Sequence, residues 1–334
     1  MPARRWVAVT ATADFPVALA PVKRALAGIA PVRRVPLPFR PLGQAEEASF
    51  AKRLQGAGGI LLRPGYITPS LLDRLPALRA VAVHGAGVDQ VDVPACTERG
   101  VLVTNAPGAN ADSVAELALG LMLSLARRIP EAARRVREER VWGEARHTGR
   151  ELKGKTLGIV GIGQIGVRLA RMAAAVGMEV AACDPALPAA EIRRRGARPL
   201  PLERLLQEAD YLSLHAPLIP STRHLIGREA IARMKKGAFL VNCARGPLVD
   251  ELAVARALRS GRLGGAALDV LEGEPPDPKS PIFGAPNLIL TPHMAGSTVE
   301  ALEAIARTAG EDLARVLTGK PPRFPVNQPK KAKR

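Results

Sequence analysis

Cysteine and aromatic residues are scarce in this 334-residue chain, and their scarcity excludes several kinds of protein. The three cysteines, Cys96, Cys183 and Cys243, are too few and too widely spaced for a disulfide framework or a zinc site. Aromatic residues make up 3% of the chain, so few side chains could stack on the bases of a single-stranded nucleic acid. We therefore expect no metal site, and the sparse thiols are typical of a reduced, cytoplasmic protein.

Long apolar runs are also missing. No stretch reaches the roughly 18 apolar residues that a membrane-spanning helix needs, and the N-terminal MPARRWVAVT shows no signal-peptide pattern. We therefore expect no membrane association. Acidic residues number 31 against 48 Lys and Arg, but the arginine pairs are spread along the chain. We interpret the net charge of +17 as a generally basic surface, and nucleic acid is not expected as a partner.

Strand-like and helix-like patterns alternate through the chain. In the first hundred residues, strand-like runs at 6–10, 32–37, 59–62, 78–84 and 101–104 are separated by helical stretches, and the alternation resumes after residue 156. Such alternation predicts parallel, doubly wound sheets, and the length suggests about two domains. The turn-rich segment 105–110 is the predicted boundary. The capping-box pattern at 113–116 predicts the start of a long apolar helix that belongs to the second domain.

The most informative stretch runs from Thr156 to Asp184, TLGIVGIGQIGVRLARMAAAVGMEVAACD. It has the order strand, glycine turn, helix, strand and acid that is typical of a dinucleotide-binding Rossmann unit. Gly161 allows the tight turn, and Gly163 lets the backbone approach a pyrophosphate. Gly166 lets the helix lie close to the strand. With all these parts in place, the sequence predicts a dinucleotide site.

The choice of dinucleotide depends on the acid that ends this stretch. The pyrophosphate would meet free N–H groups at the helix N-terminus, around Gln164 and Ile165. Asp184 follows the last glycine by 18 residues and is placed to bind both ribose hydroxyls. Because a carboxylate repels a 2′-phosphate, the sequence predicts NAD(H) rather than NADP(H) as the cofactor.

Three ionisable residues follow predicted strands of the second domain: Arg245, Glu274 and His293. Ligands of doubly wound sheets bind beyond the carboxyl ends of the strands, so these side chains are expected beside the glycine turn. Hydride transfer to a carbonyl carbon needs an acid/base on the oxygen, and a histidine suits that role at neutral pH. Alone, each residue could be structural: a histidine bonded to backbone, a solvated loop acid, or one more surface arginine. Together, they favour catalysis.

Several motifs resemble one family. VNCARGPLVDE, AALDVLEGEPP and NLILTPHMAGST resemble the motifs of the D-isomer-specific 2-hydroxyacid dehydrogenases, which include phosphoglycerate dehydrogenase and the hydroxypyruvate/glyoxylate reductases. The likeness extends to HGAGVDQVD, VLVTNAPGANADSVAEL, ELKGKTLGIVGIGQIG and LHAPLIPSTRHLIG, and so covers nearly the whole chain. It implies that Arg245 binds the substrate carboxylate and carbonyl, that His293 is the acid/base, and that Glu274 pairs with His293.

The resemblance also implies substrate contacts in the first domain. Arg63 and the backbone N–H groups of Ala86 and Gly87 would hold the substrate. The loop after Arg63 reads Pro64-Gly65-Tyr66, where relatives more often have Ser and Thr, so this chain departs from the family pattern there.

The resemblance further implies which residues line the cofactor cleft. Asp269 would contact the nicotinamide end. The other implied cofactor contacts are His215, Ala216, Pro217, Thr222, Cys243 and Ala244.

The resemblance also implies the domain order and a dimer. Residues 1–104 plus 297–334 would form a flavodoxin-like substrate domain, and residues 105–296 the NAD-binding Rossmann domain. The helix beginning near Ser113 would support a homodimer, and Trp142 is expected to be a packing anchor in a core or at an interface. No attached regulatory domain, and hence no serine feedback through one, is expected.

The sequence therefore predicts an NAD-dependent D-2-hydroxyacid dehydrogenase that interconverts a small 2-oxo acid and its D-2-hydroxy acid. A hydroxypyruvate/glyoxylate reductase and a short phosphoglycerate dehydrogenase-like enzyme both fit this prediction. The alternative from another class is an NAD-sensing, corepressor-like binding protein on the same fold. The basic surface and the PKKAKR tail favour that alternative, whereas the chain shows no DNA-reading motif.

Overall fold

The computed structural model describes residues 5–143 and 147–329, which form two compact α/β units. The first unit comprises the chain up to Asn110 together with the residues from Ser297 onward, and the second comprises 111–296. Each unit is built on one parallel sheet. No helix in the described ranges is both long enough and apolar enough to cross a membrane.

The first unit has a five-stranded sheet. Its strands are β1 (Trp6–Val9), β2 (Val32–Arg34), β3 (Ala57–Leu62), β4 (Ala80–Val83) and β5 (Leu102–Thr104). Its helices are α1 (Leu19–Ala25), α2 (Gln44–Arg53), α3 (Pro69–Asp73), α4 (Val93–Glu98) and α12 (Val299–Leu317). The strand order β2-β1-β3-β4-β5 is that of flavodoxin-like folds, as predicted.

Both faces of this sheet are buried, because successive strand residues point to opposite sides. Ile60 and Val81 pack with α2, α3 and α4 on one face. Leu61 and Ala82 pack with α1 and α12 on the other. Strands covered on both faces read as continuous apolar runs, which explains AGGILL in β3.

The second unit has a seven-stranded parallel sheet. Its strands are β6 (Thr156–Val160), β7 (Glu179–Cys183), β8 (Arg198–Pro199), β9 (Tyr211–Leu214), β10 (Ala238–Asn242), β11 (Leu263–Leu268) and β12 (Leu288–Leu290). Its helices are α5 (Ala111–Ala126), α6 (Ile129–Arg134), α7 (Gln164–Ala175), α8 (Ala189–Arg194), α9 (Leu202–Glu208), α10 (Arg228–Arg233) and α11 (Glu251–Arg259). The strand order is β12-β11-β10-β9-β6-β7-β8: β7 and β8 are added on one side of β6, and β9 to β12 on the other. This switch of side at β6 is typical of a Rossmann fold, as predicted.

The start of α5 differs from the sequence-based expectation. The helix begins at Ala111, so Ser113 is a buried residue of its first turn and not the predicted N-cap. The preceding segment also belongs with the first unit in the structure, whereas the predicted boundary placed it with the second. The reason is a set of hydrogen bonds: Asn105 Nδ2 donates to Ala86 O (2.6 Å) and Ala106 N donates to Gly85 O (2.8 Å).

The segment after α5 is largely exposed. After α6 the chain forms a π-helical turn, Arg135–Glu139, and then reaches Trp142. The Trp142 side chain is 89% exposed, so this residue is not a core anchor of the chain. A role at an interface stays a prediction.

A buried histidine, His84, directly follows β4 in the first unit. It is 3% exposed, and neither ring nitrogen makes a well-formed hydrogen bond with the described residues. Burial, and to a smaller extent the charge of nearby Arg63, lowers the pKa of His84 to about 3, and the backbone of His84 and Leu302 offsets this only in part. The folded protein therefore keeps this imidazole neutral at pH values where an unfolded chain would protonate it.

We predict that His84 makes the first unit less stable in mild acid. Below about pH 6.5 the unfolded chain takes up a proton on this residue, whereas the folded chain does so only near pH 3. The free energy of unfolding should thus fall as the pH drops, by up to about 2 kcal/mol from this residue at pH 5. His84→Leu should remove that part of the loss. Urea unfolding at pH 7.5 and 5.0, followed by fluorescence of buried Trp6, measures it.

A matched control is His224→Gln, since the side chain of His224 is half-exposed and lies in the second unit. This variant should keep the full loss between the two pH values. Equal losses in the parent and in His84→Leu would contradict the prediction.

Candidate active site

The glycine turn after β6 combines two close backbone contacts with one open position. A Cβ atom on Gly161 would lie 2.8 Å from the His215 carbonyl, and one on Gly166 would lie 2.4 Å from the Gly161 oxygen. Gly161 also has a φ of +87°, which favours glycine. A Cβ on Gly163, by contrast, would meet nothing within 4 Å. The backbone of Gly163 and the N-terminus of α7 are thus open to an anion, and they fit a dinucleotide pyrophosphate.

Asp184 follows β7 and is held by the same turn. Its Oδ2 accepts a hydrogen bond from Ile162 N (3.0 Å), and its Oδ1 accepts one from Ala186 N (3.1 Å). Each carboxylate oxygen has a second lone pair that can accept a ribose hydroxyl. Arg195 lies near this turn, since its Nη1 donates to Ile162 O (2.7 Å), but its Nε is paired with Glu191.

The implied cofactor residues after β9 lie in a loop that is held by its own hydrogen bonds. His215 Nε2 lies 2.9 Å from Ser213 Oγ, and burial lowers the pKa of His215 to about 4, so its ring is neutral at pH 7. Further along, the Thr222 hydroxyl donates to Pro217 O (2.7 Å) and accepts from Ile219 N (2.8 Å). Pro217 itself is exposed, whereas Ala216 before it is buried.

The turn after β10 carries Cys243, Ala244 and Arg245, and a buried amide shapes it. Asn242 Oδ1 accepts from Ala244 N (3.0 Å), and its Nδ2 donates to Arg245 O (2.8 Å). Cys243 is buried, and this burial raises the pKa of its thiol, so it is a packing residue at neutral pH. Arg245 is half-buried, and its Nη1 donates to Ala244 O (2.7 Å).

Close backbone packing joins this turn to the loop after β11. A Cβ atom on Gly246 would lie 1.9 Å from the Leu271 carbonyl oxygen, so only glycine fits there. Leu271 N in turn donates to Glu274 Oε1 (3.3 Å). The turn that carries Arg245 and the loop that carries Glu274 therefore pack directly against each other.

Asp269 anchors the turn after β12. Its carboxylate accepts from Thr291 Oγ1 (2.6 Å), Met294 N (2.9 Å) and Ala295 N (2.8 Å). Its main-chain oxygen accepts from His293 N (2.7 Å). Asp269 is 1% exposed, so three donors from one short segment satisfy a buried carboxylate. This residue thereby fixes the backbone on both sides of His293.

His293 and Glu274 form the pair that the sequence predicted. His293 Nδ1 lies 2.6 Å from Glu274 Oε2, and the histidine side chain is 48% exposed. A carboxylate at Nδ1 favours a proton on that nitrogen, which leaves Nε2 facing away to exchange a proton with a ligand. His293 has a left-handed backbone, with φ at +51°, that bulky residues seldom adopt.

The implied substrate residues of the first unit follow two neighbouring strands. Arg63 follows β3, and the turn containing Ala86 and Gly87 follows β4. Arg63 Nε is buried without a hydrogen-bond partner among the described residues, and its Nη2 lies 3.5 Å from Ser297 Oγ. Asn105 Nδ2 donates to Ala86 O and so fixes that turn.

The sequence analysis predicted no role for Asn242. For Asp269 it predicted a contact with the nicotinamide, whereas the structure shows that this residue holds the turn that carries His293. Each ends or follows a buried apolar strand, and a single polar residue at such a place is the pattern that could have revealed both.

The second unit thus offers an anion site at a helix N-terminus and an imidazole oriented by a carboxylate. A guanidinium lies on the turn packed beside that carboxylate. These groups suit dinucleotide binding and proton transfer at a carboxylate-bearing ligand.

Comparisons with known proteins agree with this chemistry. Residues 119–295 match the sequence profile described as D-isomer specific 2-hydroxyacid dehydrogenase, NAD binding domain. A D-3-phosphoglycerate dehydrogenase of Methanocaldococcus jannaschii is 42% identical over 280 residues, which cover 83% of this chain and 53% of that protein. A glyoxylate reductase of Thermofilum pendens is 39% identical over 273 residues, 78% of each chain.

A solved structure extends the likeness to both units. The glyoxylate reductase from Paecilomyes thermophila superposes with a TM-score of 0.84 at 29% identity and covers 98% of this chain and 99% of its own. The chain spans about half the length of the curated phosphoglycerate dehydrogenases that it matches. The second unit is an NAD-binding domain, and the chain belongs to the D-isomer specific 2-hydroxyacid dehydrogenase family.

Proposed function

We propose that this protein interconverts a small 2-oxo acid and its D-2-hydroxy acid, using NAD(H). The observation that carries the proposal is the 2.6 Å contact between His293 Nδ1 and Glu274 Oε2, at the sheet edge that also carries the glycine turn. Relatives named glyoxylate reductase, hydroxypyruvate reductase and D-3-phosphoglycerate dehydrogenase support the reaction class. Bound NADH supplies the hydride for the carbonyl carbon.

His293 is the proposed acid/base. In reduction, its Nε2 delivers a proton to the carbonyl oxygen, and in oxidation it takes the hydroxyl proton away. Glu274 keeps the ring oriented through its contact with Nδ1. Asp269, which the sequence analysis placed beside the nicotinamide, also acts on His293 by holding the backbone of its turn.

Arginine side chains are the proposed anchors of the substrate. The guanidinium of Arg245 binds the carboxylate in a fork and stabilises negative charge on the adjoining oxygen. In the first unit, we propose that Arg63 and the N–H groups of Ala86 and Gly87 make further substrate contacts. The buried, unpaired Nε of Arg63 supports a role in binding an anion.

NAD binding is proposed along the carboxyl edge of the second sheet. The open position at Gly163 and the N–H groups of Gln164, Ile165 and Gly166 support a pyrophosphate site after Gly161. Asp184 would take the ribose hydroxyls. The remaining proposed contacts are His215, Ala216, Pro217, Thr222, Cys243, Ala244 and Asp269.

A homodimer is the proposed assembly. Large apolar side chains are exposed on α5 and on the segment after it, and their burial against a second copy would be favourable. They include Leu123, Ile129 and Trp142. A cytoplasmic location stays a prediction, and the corepressor-like alternative stays untested.

We predict that His293→Asn lowers kcat with a 2-oxo acid by two to four orders of magnitude, because the proton donor is lost. Asparagine tolerates the left-handed backbone at this position, so the turn itself should remain intact. Oxidation of NADH measured at 340 nm with glyoxylate, hydroxypyruvate, pyruvate and 3-phosphohydroxypyruvate gives kcat. Fluorescence titration gives the affinity for NADH, which should change little.

The matched control is His224→Asn, because His224 also has a left-handed backbone and pairs with Glu272. It should keep kcat within a few-fold of the parent. Turnover by His293→Asn within a few-fold of the parent, with NADH still bound, would remove the acid/base role.

A second prediction concerns the choice between NADH and NADPH. Asp184→Asn keeps the shape of the side chain and removes the charge that repels a 2′-phosphate. The preference for NADH, expressed as the ratio of the two kcat/KM values, should fall roughly tenfold or more, a change of about 1.4 kcal/mol. Asp277→Asn removes an exposed charge from another loop and should leave the ratio unchanged. An unchanged ratio in Asp184→Asn would refute the assigned role of Asp184.

A further inference from the structure

Three aromatic rings gather at the carboxyl edge of the first unit's sheet. Phe15 follows β1, Phe39 follows β2 and Tyr66 follows β3. The ring centroids of Phe15 and Phe39 are 5.2 Å apart, and those of Phe39 and Tyr66 are 6.3 Å apart. The chain has only ten aromatic residues, so three of them at one place form a distinct feature, here named the aromatic wall.

The aromatic wall is held in place by its backbone. The buried Thr10 hydroxyl accepts from Arg63 N (2.9 Å) and donates to Pro64 O (2.9 Å), which fixes the start of the Tyr66 loop. Gly65 packs so tightly on Leu37 that a Cβ atom would lie 1.9 Å from its side chain. Phe15 N donates to Thr12 Oγ1 (3.1 Å). The rings are therefore presented by fixed turns.

The wall is not part of the hydrophobic core. Phe15, Phe39 and Tyr66 are all partly exposed. Tyr211 and Phe239 of the second unit show the contrast, since their rings stack at 4.8 Å and both are buried. Aromatic faces that stay partly in water at a ligand-binding sheet edge can gain free energy by covering an apolar group.

A cation without a counter-ion borders the wall. The Arg63 guanidinium carbon lies 6.0 Å from the Phe15 ring centroid. No carboxylate in the described ranges forms an ion pair with Arg63, and its Nε is buried and unpaired. His84, which lies close enough to feel the charge of Arg63, is neutral at pH 7 and adds no positive charge there. A partly desolvated, unpaired guanidinium is stabilised when an anionic ligand binds beside it.

We infer that the preferred substrate is a 2-oxo acid with an apolar, and above all an aromatic, side chain. Its side chain packs on the aromatic wall of Phe15, Phe39 and Tyr66, and the positive charge of Arg63 beside the wall adds to the attraction that Arg245 exerts on the substrate carboxylate. This inference rests on the proposed function and narrows it, since it names the substituent that the 2-oxo acid carries.

The same residues disfavour a phosphorylated side chain. A phosphate dianion needs several donors and cations, but Arg40, the other arginine next to the wall in sequence, is paired with Glu46 through both amino groups. The Pro64-Gly65 pair beside Tyr66 offers no side-chain donor. The aromatic faces themselves repel an anion, because the face of a ring carries negative charge.

The test compares kcat/KM with NADH for phenylpyruvate, 4-methyl-2-oxopentanoate, glyoxylate and 3-phosphohydroxypyruvate. Phenylpyruvate should exceed glyoxylate roughly ten- to hundredfold, as expected for an apolar group entering a matching site. The value for 4-methyl-2-oxopentanoate should lie between these two, and 3-phosphohydroxypyruvate should be the poorest of the four.

Variants then test the wall itself. Phe39→Ala should lower the ratio of kcat/KM for phenylpyruvate to that for glyoxylate roughly tenfold, mainly through KM. Phe39→Leu, which keeps an apolar side chain, should lower it less and guards against a folding defect in the alanine variant. Phe283→Ala removes an exposed ring from the second unit and should leave the ratio unchanged.

The outcomes separate this inference from the proposed function. Turnover of glyoxylate or 3-phosphohydroxypyruvate in preference to both apolar acids would overturn the inference and leave the proposed function standing. The same holds if phenylpyruvate is preferred but Phe39→Ala and Phe39→Leu leave the ratio unchanged. Silence with all four acids, with NADH bound, would overturn the proposed function and the inference with it.

Discussion

The geometry of the candidate active site depends on the buried carboxylate of Asp269. Three donors from the chain just before and after His293 point at its two oxygens, and its main-chain oxygen takes a fourth hydrogen bond, from His293 N. A left-handed backbone at a histidine costs on the order of 1–3 kcal/mol, so it persists only where neighbouring bonds require it. Asp269 supplies those bonds. The position of the imidazole therefore follows from a carboxylate that need not touch the substrate.

Close backbone packing also fixes two other turns of the site. Gly166 lets α7 lie against the turn after β6, and Gly246 lets the turn after β10 lie against the loop after β11. In both places a methyl group would overlap a carbonyl oxygen. The site thus consists of loops that follow parallel strands and whose backbones pack closely against neighbouring segments. Groups placed in this way need little reorganisation when charge develops on a ligand, which is the basis of electrostatic catalysis.

Much of this arrangement could be predicted, because parallel strands end at one edge and the order along the chain then locates the loops. The glycine turn, Asp184 and the pairing of Glu274 with His293 were accessible in this way. The start of α5 was predicted wrongly. The local capping pattern indicated a start at Ser113, whereas the helix begins two residues earlier, at Ala111. Strand β8 was missed, since two residues carry no periodicity. The aromatic wall could not be predicted, because more than twenty residues separate each of its members from the next along the chain. Only the strand order brings them together.

The two sheets present different side chains at their carboxyl edges. In our proposals, one edge carries the catalytic groups and the other carries the groups that select the substrate. The second unit presents a carboxylate–imidazole pair and a helix N-terminus, the groups that we propose for proton transfer and cofactor binding. The first unit presents a guanidinium without a carboxylate partner among the described residues beside three aromatic faces, and we infer that these select the substrate by the size and polarity of its side chain. The loop Pro64-Gly65-Tyr66 belongs to the first unit, and among the described residues it makes none of the hydrogen bonds that hold His293. In our proposal, the catalytic pair and the surface that selects the substrate therefore lie on different sheets of the chain, so that a substitution in one leaves the hydrogen bonds of the other unchanged.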